Sequence, residues 1–144
     1  MWADVRVALL SLAVVTIVGL AFGSRANAAE PNQPNRLFEM RTYIANDGKM
    51  DDLHARFRDH TNKLFVKHGM TLIGYWTPVE GPDAANTLVY ILAYPNREAR
   101  EKSWKDFMGD PDWQAAYKAS HANGVLVKKV ESKFLAPTDY SPLK

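Results

Sequence analysis

Glu39, Arg41 and Tyr43 are the residues in this chain best placed by type and spacing to do chemistry. In an extended strand, alternate residues share one face and sit about 6.6–7 Å apart. A carboxylate and a guanidinium so placed can pair, leaving Arg41 to hold an anionic or carbonyl group while Glu39 or Tyr43 makes a further polar contact. The same three residues can equally be a structural ion pair beside a packed tyrosine, because a buried pair is ordinary once its hydrogen bonds are satisfied.

Four histidines, His54, His60, His68 and His121, raise the question of a metal. No HExxH pattern occurs, and the 14-residue separation of His54 and His68 corresponds to roughly 21 Å along a helix. No protein-ligated metal is expected. One axial histidine on a haem leaves no spacing to test, so His60 and His68 stay among the candidate ligand contacts. His68 also reads simply as a helix-terminal residue before Gly69, favoured there by the helix dipole when charged.

The chain has no cysteine, which removes disulfides, thiol nucleophiles and cysteine-bound metals. Tyr75, Trp76, Tyr90, Tyr94, Trp104 and Trp113 make an aromatic-rich interior. Such side chains serve cores and interfaces first, and no cofactor is expected, although Tyr75, Trp76, Tyr90 and Trp104 are candidates for contact with a ligand. Glycine-rich phosphate cradles and the G-x-S-x-G nucleophile motif are missing, and no catalytic residue can be assigned.

The elements that must position these groups follow from periodicity. RLFEMRTYI reads as a strand with Phe38, Met40 and Ile44 on one face and Leu37, Glu39, Arg41 and Tyr43 on the other. Residues 49–69 read as a helix whose apolar stripe holds Met50, Leu53, Phe57, Leu64 and Phe65, with Thr61 and His68 inside it and Gly69 as its stop. TLIGYWTPV is a second strand, with Leu72, Gly74 and Trp76 on one side and Ile73 and Tyr75 on the other. NTLVYILAY is a third strand, apolar enough on both faces to be central. Asn96 caps a further helix, Asp110 and Pro111 start a short one, and GVLVKKVESKFL is the last strand. The order βαββαβ predicts an α+β, ferredoxin-like fold with a four-stranded antiparallel sheet and helices on one side. Its other face would be apolar and uncovered, which predicts a homodimer through that sheet face, with Tyr75 and Tyr90 among its contacts.

Before this domain, residues 1–29 hold an apolar run from Val7 to Gly23 and then Ala26-Asn27-Ala28, the pattern of a signal peptide or a retained N-terminal anchor. Residues 30–35 are a polar spacer and 36–142 the folded domain. An exported protein, periplasmic or secreted, is expected, meeting a membrane only if the leader is kept. Without Asp4, Arg6 and Arg25 the chain has 16 basic and 15 acidic side chains, so its formal charge falls from +2 to +1. No nucleic-acid footprint is present.

Glu39, Arg41 and Tyr43, followed by Gly48, the stretch from Phe65 to Gly69, Gly74-Tyr75-Trp76, Ser103-Trp104 with Phe107, and Asp110 to Trp113 together resemble the NIPSNAP family. The resemblance spans nearly all of residues 36–142. It implies ferredoxin-like protomers pairing as a dimeric α/β barrel, in a superfamily that includes cofactor-free monooxygenases and haem-handling enzymes. It carries no catalytic set to these positions. The resulting expectation is a dimeric domain that binds a small molecule or a protein, with a monooxygenase or haem-degrading enzyme, or a purely structural interaction protein, as alternatives.

Overall fold

The computed structural model describes residues 36–144; the leader and spacer expected over 1–35 lie outside the described residues. The chain runs β1 (Leu37–Ala45), α1 (Met50–Arg56), a π-helical turn (Phe57–Thr61), α2 (Asn62–Lys67), β2 (Thr71–Trp76), a 3-10 turn (Ala84–Asn86), β3 (Thr87–Tyr94), α3 (Arg97–Gly109), α4 (Pro111–Ser120) and β4 (Val127–Leu135). The strands form one antiparallel sheet in the order β2-β3-β1-β4. This is the ferredoxin-like arrangement, with the two βαβ halves interleaved and the first and third strands central.

Local signals set the boundaries. Asn96 accepts a hydrogen bond from the Ala99 amide at 2.8 Å and opens α3, while Asp110 accepts from the Asp112 amide at 2.8 Å and opens α4 with Pro111 behind it. Each cap satisfies an amide that the first helical turn leaves unpaired. Gly69 adopts φ +79 directly after the helix, where a side chain would be strained.

The register assigns the faces. Glu39, Arg41, Tyr43 and Ala45 share the helix-covered face with Leu88, Tyr90, Leu92 and Tyr94, and those four β3 residues are all at most 2% exposed. Phe38, Met40 and Ile44 lie on the open face beside Val89, Ile91 and Ala93. On β4 that face presents Lys129, Glu131 and Lys133, charges that make this sheet edge a poor template for further strands.

One strand departs from simple alternation. An irregularity between Leu72 and Gly74 shifts the register of β2. Leu72 and Tyr75 therefore both face the helices, and Gly74 and Trp76 face outward. The Trp76 ring folds back over Gly74, so close that a Cβ there would stand 2.6 Å from it. Tyr75 and Tyr90, expected among contacts of the uncovered face, are instead stacked under the helices at 5.5 Å. The inserted residue shifts the phase for Tyr75, and pairing opposite Arg41 sets the side for Tyr90.

Candidate functional site

Two groups of charged side chains are buried between the sheet and the helices. The first surrounds Glu39, which is fully buried. Its Oε1 accepts from Arg41 Nη1 at 2.7 Å, Ser132 Oγ at 2.7 Å and Arg100 Nη2 at 2.8 Å. Its Oε2 accepts from Arg100 Nε at 2.9 Å and the Tyr94 hydroxyl at 3.3 Å. The Trp104 indole N–H is shared between the Tyr94 oxygen at 2.8 Å and Oε2 at 3.2 Å. Burial alone would push this carboxyl toward its neutral form. The hydrogen bonds from Arg100, Ser132 and Arg41 outweigh that and hold its pKa at about 2, against 4.5 for a free glutamate. Glu39 is thus a permanently charged anchor with its lone pairs occupied, unsuited to act as a general base at neutral pH.

The second group centres on Arg56, at the end of α1, with only 5% exposure. Its guanidinium lies 5.4 Å from the Trp113 ring centre and 5.6 Å from that of Tyr117. Its Nη1 reaches Ser120 Oγ at a long 3.4 Å. Among the described residues it has no ion pair, and the groups that act on its charge are Tyr43, Tyr117 and Tyr90. Burial accordingly pushes its pKa below the usual arginine value, from a height that leaves it charged at any physiological pH.

Arg56 is presented by the π-helical turn that follows it. A π turn leaves a backbone carbonyl poorly paired, and here the Thr61 hydroxyl donates to the Arg56 carbonyl at 3.2 Å. Arg56, Phe57 and Thr61 all border a partly open cavity of about 290 Å³. Arg41 and Tyr43 of β1 line the same cavity, and Trp104 and Trp113 bring it aromatic walls. The Nε–H groups of Arg41 and Arg56 and the Tyr90 hydroxyl are buried and meet no protein acceptor. Burial pushes the Tyr90 pKa well above 10, so that hydroxyl remains protonated. Met108, Tyr117, Val125 and Val130, each 45–59% exposed, form an apolar mouth.

The structure brings together most of the candidate contacts. Glu39, Arg41, Tyr43, Tyr90 and Trp104 converge, with Arg41 lying 4.3 Å from the Trp104 ring centre. Tyr75 is stacked behind Tyr90, with Phe57 packed edge-on against both. Its hydroxyl is buried without a protein partner, beside a separate cavity of about 350 Å³ lined by His54, Asn62 and Trp76. Trp76 is half exposed, His60 borders an outer groove, and the His68 Nε2–H donates to Asp110 Oδ2 at 2.6 Å, tying the end of α2 to the cap of α4. Arg56, Arg100 and Ser132 are further members that spacing did not single out. For Arg56 a signal existed: it stands between Leu53 and Phe57 on the flank of an apolar stripe. Among the described residues, no cluster of three acidic, histidine or cysteine side chains could hold a metal ion.

The fold and this interior define a ferredoxin-like α+β domain with a polar-anchored aromatic cavity between sheet and helices. The NIPSNAP family profile matches residues 38–142. The chain belongs to the NIPSNAP family. A putative NipSnap protein of Caenorhabditis elegans is 29% identical over 128 residues, covering 80% of this chain, which spans only 21% of that protein. The crystal structure of a NIPSNAP family protein of unknown function from Agrobacterium tumefaciens is 25% identical, with a TM-score of 0.68 over 78% of this chain and 97% of its own. SnoaB, a cofactor-independent oxygenase from Streptomyces nogalater, shares the fold at 14% identity, with a TM-score of 0.50 over 75% of this chain and 98% of its own.

Proposed function

We propose that this domain is an exported homodimeric module that binds a small molecule in the cavity between its sheet and helices. The observation that carries the reading is the partly open space of about 290 Å³, apolar at its mouth and walled by aromatics, bordered by the buried Arg56 and the half-buried Arg41. A volume at the lower end of ligand pockets, mostly apolar with a few fixed polar groups, is the usual form of a small-molecule site. Val130 stands at the mouth on an exposed stretch of β4, so Val130→Trp closes the entrance without repacking the core. Fragments detected by ligand-observed NMR on the native domain are expected to lose binding in that variant; unchanged binding, or no fragment binding at all, would overturn the reading.

The homodimer rests on the open face, where Met40, Ile44, Val89 and Ile91 form an apolar stripe over the two central strands. A second copy covers such a stripe with its own, as the symmetry of an isologous contact requires. Ile91→Asp is expected to halve the mass measured by sedimentation, and an unchanged mass refutes this face as the contact. Export is supported by the leader-like N-terminal sequence; among the described residues no helix is long and apolar enough to cross a membrane.

A second reading, turnover of a phenolic substrate with oxygen, is favoured by His121. It borders the cavity and its Nδ1–H donates to the Tyr117 carbonyl at 2.7 Å, which leaves Nε2 free to accept a proton. The fold shared with SnoaB is compatible with it. Oxygen uptake with a panel of hydroquinones tests it, and no uptake by the purified dimer counts against it.

A further inference from the structure

We infer that the ligand of this cavity is an anion: a planar, aromatic molecule whose carboxylate or enolate oxygen is received by Arg56 and Arg41. The inference rests on the binding reading above and names the chemistry of what is bound.

Charge accounting leads to it. Glu39 faces two guanidinium groups, Arg41 and Arg100, and Arg100 has a second carboxylate in Glu101 at 3.2 Å, so these two arginines meet two carboxylates. Arg56 adds another cation and faces only tyrosine hydroxyls, Ser120 and aromatic rings. Asp52 and Asp59 share an outer groove with it, yet neither pairs with it within 4 Å. Of the two arginines that border the cavity, Arg56 is therefore the one left without a carboxylate partner among the described residues. A buried unpaired charge is costly, and a guanidinium stacked on aromatic rings offers planar, bidentate donors that match a carboxylate.

The geometry also selects the body of the ligand. The walls beside the arginines are Trp104, Trp113 and Phe107, and Met108, Tyr117, Val125 and Val130 form the mouth, so a flat apolar skeleton fits along them.

The full domain is titrated calorimetrically with cinnamate and naphthoate, and separately with their neutral amides. The acids are expected to bind at least tenfold more tightly than the amides. Arg56→Met should remove that preference by weakening the acids far more than the amides, with thermal stability unchanged or improved, and Arg56→Lys should retain part of it. Equal affinity for acid and amide in the native domain overturns the anion inference and leaves the cavity reading standing, as does an acid affinity untouched by Arg56→Met. Failure of every acid and amide to bind overturns both.

Discussion

Glu39 and Arg56 lie on the same side of the same sheet, and both are almost wholly buried, yet they illustrate opposite treatments of an interior charge. Around Glu39 every acceptor site is filled, by donors drawn from β1, β3, α3 and β4. Around Arg56 there is a cavity, a long contact to Ser120 and, among the described residues, no carboxylate within ion-pair distance. The first arrangement ties four elements to one point and gains stability and a fixed geometry for Arg41. The second retains a cost that folding alone does not offset. An uncompensated buried charge beside an apolar cavity is the signature of a site kept for something else.

The largest effect that would break this contrast is Glu39→Gln. It removes the charge between Arg41 and Arg100, and breaking a buried pair while leaving its partners costs about 3 kcal/mol. Denaturant unfolding should show that loss, together with weaker acid binding as Arg41 loses its anchor; a change below about 1 kcal/mol would mean the cluster is surplus to the fold.

Acid is the next test. The folded pKa of Glu39, about 2, lies below its unfolded value of 4.5, so the stability it contributes is fully present above pH 4.5 and is lost as pH falls toward 2. The loss is on the order of 3 kcal/mol. It should vanish in Glu39→Gln, and an identical acid limb in both proteins would assign the effect to other carboxylates.

The smallest effect sharpens the comparison from the other side. Arg56→Met keeps a long side chain in a similar space and removes a charge that has no partner, so unfolding stability should stay within about 1 kcal/mol of the native value or rise. A loss of 3 kcal/mol or more in thermal or denaturant unfolding would make Arg56 a structural residue like Glu39.

How far the fold was legible follows from which signals are local. The alternation in RLFEMRTYI, the Asn96 and Asp110 caps and the glycine after His68 are read from neighbours a few residues apart, and each stands where expected. The bulge in β2 was not legible, because Thr71–Trp76 alternates as well with it as without it; only pairing with β3 decides. Tyr75 changed sides for that reason. His68 was recognised as a helix end, but its bond to Asp110, 42 residues on, needed α2 and α4 to meet.

By itself the sequence determined the order of elements, the class of fold, the family and the pairing of Glu39 with Arg41, since these depend on periodicity, caps and residues two apart on one strand. Only the tertiary structure decided that Arg100 and Ser132 complete that pair, 61 and 93 residues away, and that Arg56 meets no carboxylate among the described residues. The physical reason is that a charge is satisfied or left alone by whatever packs against it, and packing brings together side chains whose separation along the chain carries no signal of their contact.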